Sequence, residues 1–207
     1  MAKRAPACRF CVLPPPAHAS RVLSVHCDAK HRFSKPAVLS MEVEAGHGVV
    51  GDAHYGATVQ HRYDKRWRPQ APNLRQVHLI SMSLLHMLGQ QGFAIRPGEL
   101  GENICLDDAP DWHWDALLRW PLGTELHFAQ GPVLALTGWR QPCVWVDRFA
   151  CGLRAAMELP ASTHDAAEAL PYRTGVMAVV RTGGHIQPGD TVRAQPPATP
   201  WQPMHCV

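Results

Sequence analysis

Proline and glycine set the limits on this chain: 19 of its 207 residues are proline and 16 are glycine, and they punctuate it from end to end. Proline removes a backbone donor and fixes φ, while glycine supplies the conformations that tight turns need. Short strands joined by hairpin-sized turns are therefore favoured over long helices. Strand-like stretches recur between these breaks, at residues 21–27 (RVLSVHC), 37–43 (AVLSMEV), 77–80, 125–128, 133–137, 176–180 and 190–194. Turn signals separate them at Gly46-His47-Gly48, Leu122-Gly123-Thr124, Gly131-Pro132 and Gly183-Gly184. Two stretches have helical character. Ile80, Leu84, Leu85 and Leu88 share a helix face that Gly92 closes, and residues 144–157 form a second helix interrupted near Gly152. The expected fold is mainly β with peripheral helices: a single, mostly antiparallel β-barrel with helices packed outside.

A length of 207 residues suits one domain, since domains commonly run to roughly 100–200 residues. That domain is expected over residues 20–194, with a disordered leader at 1–19 and a proline-rich C-terminal tail at 195–207. Lys3, Arg4 and Ala17-His18-Ala19 imitate an export signal, but Arg9 and the three prolines at 14–16 break the apolar stretch that export requires. No run reaches the about 18 apolar residues of a membrane helix, so no membrane association is expected. Net charge is +3 with histidines neutral, and no basic stripe interleaved with aromatics exists, so no nucleic-acid partner is expected. Seven cysteines, an odd number, fit reduced thiols in a cytoplasmic setting better than an oxidised framework.

Three polar clusters containing glycine precede one isolated cysteine: residues 48–54 (GVVGDAH), 97–103 (PGELGEN) and 137–143 (TGWRQPC). Glycines let backbone N–H groups approach an anionic ligand closely. Pro142 ends a strand and a helical pattern follows, which places the Cys143 sulfur at a helix start with Arg140 three residues back. Both features favour thiolate, which can act as nucleophile, carry sulfur or bind a soft metal. A small buried core residue is the plain alternative. Cys8-x-x-Cys11 has zinc or redox spacing without a second pair, Cys27 and Cys105 read as core, and Cys151 could serve as a resolving thiol. His54, His61 and His78 could be assembled into a hydrolytic metal site, with ordinary hydrogen bonding as the competing reading. Asp52 and Glu102 sit in glycine turns, where turn chemistry alone accounts for an Asp. Residues 107–120 are rich in tryptophan and either shape an entrance or cover the barrel.

The order of these pieces resembles the MOSC family, named after the C-terminal domain of molybdenum cofactor sulfurases. The matching segments are GVVGDAHYG (48–56), RQVHLIS (75–81), PGELGENI (97–104), LGTELHFAQGPVLALTGWRQPC (122–143) and GVMAVVRTGGHIQPGDTV (175–192). The resemblance runs from about Arg21 to Ala194 and is to the compact stand-alone bacterial type. Relatives often carry a glutamate shortly after the HLIS segment, where this chain has Met82-Ser83. The resemblance implies a barrel that binds molybdenum cofactor (molybdopterin), with Cys143 as metal ligand or sulfur carrier and as the catalytic residue. Gly51, Asp52, His54, Arg75, Gly101, Glu102, Asn103 and Arg140 are the expected cofactor lining. Three functions follow from it. The first is a molybdenum-dependent oxidoreductase acting on small N-hydroxylated substrates with a separate electron-donor reductase. The second is a sulfur carrier charged as a Cys143 persulfide by a cysteine desulfurase. The third is a non-catalytic cofactor-binding module.

Overall fold

The computed structural model describes residues 12–158 and 172–207. Its strands are β1 (Ser20–His26), β2 (Ala37–Val38), β3 (Met41–Glu44), β4 (Gly48–Val49), β5 (Val77–Ser81), β6 (Ile104–Leu106), β7 (Glu125–Phe128), β8 (Val133–Trp139), β9 (Val176–Thr182), β10 (Gly184–Ile186) and β11 (Thr191–Gln195). Among the described residues, five short helices accompany them: α1 (Arg62–Trp67), α2 (Met82–Gln90), α3 (Trp114–Arg119), α4 (Trp145–Phe149) and α5 (Leu153–Met157). The main sheet runs β11-β7-β8-β9-β5-β6-β1-β2, and β11 also pairs with β1, so seven of its strands close into a barrel. Every pairing between these strands is antiparallel except β5 with β6, which α2 joins by a crossover. The barrel is therefore mixed. A second sheet, β10-β3-β4, stands beside it.

Period-two alternation divides the apolar residues between two cores. Leu79, Ile104 and Leu106 point into the barrel, where they meet Val22, Val25, Leu126, Leu134, Leu136, Val176 and Val192. Ile80 and Cys105 point outward, against Leu84, Leu85 and Leu88 of α2, Val146 of α4, and Leu153 and Met157 of α5. All five residues of β5 are buried because the barrel covers one face and helices cover the other. The helical pattern that includes Ile80 thus begins in a strand: Ile80 joins the leucine cluster from the sheet side. In the second helical stretch, Ala150 turns extended and Gly152 takes φ +82°, which separates α4 from α5.

The tryptophan-rich segment covers the barrel. Trp112 and Trp120 are fully buried and meet edge to face at 4.9 Å. Residues 12–19, part of the stretch read as a leader, lie against this segment: Leu13 N donates to Arg119 O at 3.0 Å and Trp112 Nε1 donates to His18 O at 3.2 Å. Cys8 and Cys11 fall outside the described residues. The C-terminal stretch also rests on the barrel, since Trp139 N donates to His205 O at 2.8 Å and Met204 is buried. Proline-rich backbone cannot form a ladder along its whole length, so isolated bridges at Pro203 and Cys206 hold it instead.

Candidate active site at the end of β8

Five chain segments converge beside the second core: the loop after β1, the loop after β4, the approach to β5, the loop before β6 and the turn after β8. A buried ion pair ties three of them together. The Lys35 ammonium lies 2.8 Å from Asp52 Oδ2, with side-chain exposures of 4% and 0%. Asn103 Nδ2 donates to the same carboxylate at 3.1 Å and to His26 O at 3.1 Å, while Asn103 Oδ1 accepts from His78 N at 3.1 Å. The other Asp52 oxygen accepts from His54 N at 2.9 Å and faces His54 Nδ1 at 3.2 Å. Burial pushes the Asp52 acid up, but the His54 hydrogen bonds and the Lys35 charge outweigh it and hold the carboxyl well below the usual range. Burial pulls Lys35 down, and Asp52 opposes that pull.

Arg140 follows directly on β8. Its guanidinium donates to Leu100 O, and its Cζ sits 5.7 Å above the Phe33 ring. Its backbone is held too, since Thr174 Oγ1 donates to Arg140 O. Burial works against this charge, while Cys143 and Glu102 favour it. Cys143 is half-buried, packs against the second core and lies within electrostatic reach of the Arg140 guanidinium. It stands two residues ahead of the five-residue α4, and its carbonyl accepts from Val146 N at 3.1 Å. Arg75, a quarter exposed, is 3.3 Å from Asp64 of α1 and within electrostatic reach of Cys206 and of Arg140.

The residues expected from sequence separate into two roles. Cys143, Arg140, Arg75 and His54 keep part of their surface exposed. Asp52, Glu102 and Asn103 are buried and build the walls. Glu102 Oε1 accepts from Gly98 N, its Oε2 has no partner, and burial raises its acid above the usual range. Gly101, at φ +78°, is required by packing: a Cβ there would lie 2.4 Å from Phe33 O. Gly51, at φ +79°, has open space around it and serves the turn.

His54, His61 and His78 form no metal-binding group among the described residues. His78 is buried with Nε2 2.7 Å from Thr174 O, and complete burial holds its pKa well below normal. Among the described residues, no three His, Cys, Asp or Glu side chains form a metal-binding group. Lys35, Phe33, Thr174 and Cys206 carry no motif, and sequence reading missed their part in the site. A charged residue at Lys35-Pro36, just ahead of a strand-like stretch, is the only local hint at Lys35.

Taken together, these features define a small closed barrel with a cysteine-bearing turn and a cluster of basic side chains at the end of one strand. The MOSC domain model matches residues 51–193, and the chain belongs to that family. Among solved structures, the fold is similar to the YuaD protein from Bacillus subtilis, at TM-score 0.65 and 21% identity, covering 86% of this chain and 96% of that one. It is also similar to YiiM from Geobacillus stearothermophilus, at TM-score 0.55 and 15% identity over 85% of this chain and 75% of that one. YiiM from Escherichia coli aligns at TM-score 0.53 and 11% identity over 87% and 72%. No curated protein matches the chain.

Proposed function

We propose that this chain binds molybdenum cofactor beside Cys143 and reduces small N-hydroxylated compounds, with electrons from a separate reductase. The observation that carries the reading is the half-buried Cys143 within electrostatic reach of the Arg140 guanidinium, itself fixed by Leu100 O. The donor set fits the group. A cofactor that brings two sulfur ligands of its own needs one protein thiolate rather than a cage, and no cage exists among the described residues. Its terminal phosphate needs guanidinium groups, and Arg75 and Arg140 lie within electrostatic reach of one another. When bound, the cofactor supplies the two-electron chemistry. The protein's part is to hold it: Cys143 at the metal, Arg140 and Arg75 at anionic oxygens, with the packed leucine cluster keeping water from behind the sulfur. No helix among the described residues is long and apolar enough to cross a membrane. The described cysteines are all free, which suits a reducing, cytoplasmic setting.

Sulfur carriage is the second reading. It is favoured by the exposed Cys151, eight residues beyond Cys143 on the α4–α5 turn and able to act as an acceptor thiol. One preparation separates the two. Wild type and Cys143→Ala are analysed for molybdenum and pterin fluorescence, then assayed on a hydroxylamino substrate with a reductant. The reductase reading expects molybdenum and turnover in wild type, both lost in the variant. Sulfur carriage expects no molybdenum and a persulfide mass on Cys143 after incubation with a cysteine desulfurase. Bound cofactor without turnover would leave a binding module.

A further inference from the structure

Reducing R–NHOH to R–NH2 and water breaks the N–O bond and consumes two electrons and two protons. The reductase supplies the electrons, but neither Cys143 nor Arg140 is suited to deliver a proton. We propose that His54 is the catalytic residue that protonates the departing hydroxyl oxygen, and that Lys35 and Asp52 are positioning residues that orient its ring. The inference rests on the reductase reading above.

The hydrogen bonds determine which nitrogen can act. A carboxylate only accepts, so Asp52 Oδ1, 3.2 Å from His54 Nδ1, assigns the resident proton to Nδ1. Nε2 is left to take up and release the second proton. The same Asp52 oxygen also accepts from His54 N at 2.9 Å, which fixes backbone and ring together. Asp52 cannot swing away, because its other oxygen is held by Lys35 at 2.8 Å, Asn103 at 3.1 Å and Asp28 N at 3.4 Å. A turn-forming aspartate needs no buried ammonium. Placing Lys35 out of water is costly unless the charge is used, and its direct partner is the carboxylate that orients His54.

The His54 ring keeps 27% of its side chain exposed, although the aspartate beside it has none. It faces Asp52 and Lys35 from the inside. From the outside it faces His31, whose ring centre is 5.2 Å away, and His61. His61 in turn lies within electrostatic reach of Arg75 and Arg140, and Arg140 within that of Cys143, which links His54 to the cysteine-bearing turn. Burial lowers the His54 pKa, with Asp52 opposing and Lys35 and His31 reinforcing. The ring is therefore neutral at rest, and the imidazolium formed when Nε2 takes up a proton is a stronger acid than a free one, ready to give that proton away. In the balanced step, the Nε2 proton goes to the hydroxyl oxygen, which leaves as water. A solvent proton completes the amine, and the two electrons come from the reductase.

The test pairs NMR of the histidine nitrogens in the purified protein with kinetics of cofactor-loaded enzyme. We expect the wild-type His54 to show protonated Nδ1 and bare Nε2, and Asp52→Asn to give a tautomer mixture. His54→Gln should keep its molybdenum and its KM, lose at least roughly 100-fold in kcat, and lose the decline in kcat above the His54 pKa. A wild-type ring whose neutral form carries its single proton on Nε2 rather than Nδ1 overturns the proposal. So does a His54→Gln enzyme with unchanged kcat and pH profile. If loaded wild type reduces no N-hydroxylated substrate, the reductase reading fails and the catalytic assignment falls with it. The nitrogen spectra then still report whether Lys35 and Asp52 orient the ring.

Discussion

Replacing Lys35 with methionine should cost this protein more stability than most surface changes, because it strands a carboxylate. Methionine conserves length and volume, so the loss is electrostatic. Asp52 has no exposed side-chain surface and would face the interior without its countercharge. Breaking a buried pair by removing one partner costs about 3–5 kcal/mol. Four donors remain on Asp52 after the change, namely Asp28 N, His54 N, His54 Nδ1 and Asn103 Nδ2, which argues for the lower end. A loss of about 3 kcal/mol corresponds to roughly 6–12 °C in Tm for a domain of this size. The Asp52 acid is depressed in the folded state, so its contribution is present above the ordinary carboxylate pKa and is lost as pH falls through the folded value. In the variant Asp52 protonates at higher pH, so the gap in Tm should narrow on acidification from pH 7.5 to about 4. Thermal melts followed by circular dichroism at both pH values read this directly, and Lys35→Met with Asp52→Asn should recover part of the loss. A single variant that melts within 2 °C of wild type at pH 7.5, or a gap independent of pH, would refute the reasoning.

Arg75→Ala should weaken cofactor retention by about 1.5–3 kcal/mol if a charge-assisted bond is lost, towards the lower end because Asp64 already shares the guanidinium at 3.3 Å. Molybdenum content after dialysis measures it, and unchanged retention removes Arg75 from the site. Glu102→Gln probes the buried acid. Its folded pKa is raised by burial, so its stability contribution is full below the unfolded value and is lost as pH rises through the folded one. The variant's Tm relative to wild type should therefore climb between pH 4.5 and 8, whereas parallel profiles would show that burial does not govern Glu102. Gly101→Ala should lower Tm, since the new methyl meets Phe33 O at 2.4 Å with φ at +78°. An unchanged melt would mean that the two loops part without cost.

Much of the architecture is local and therefore legible in one dimension. Strand alternation, the breaks at proline and glycine, and the helix interruption at Gly152 depend on neighbours within a few residues. The cysteine-bearing turn was legible for the same reason: Pro142 bars the strand from running on, and Arg140 lies three residues from the sulfur. Alternation assigns faces but not partners, so the parallel β5–β6 pair and the closure of β11 onto β1 required the folded chain. The roles inside the site also needed it. Asp52 and Asn103 read as loop residues that could meet a ligand, yet both turn inward, because a lysine 17 positions earlier in sequence supplies the charge that lets the carboxylate be buried. Local propensity says nothing of such a pair. Its energy exists only where the surrounding packing excludes water, and only the tertiary structure brings about that exclusion.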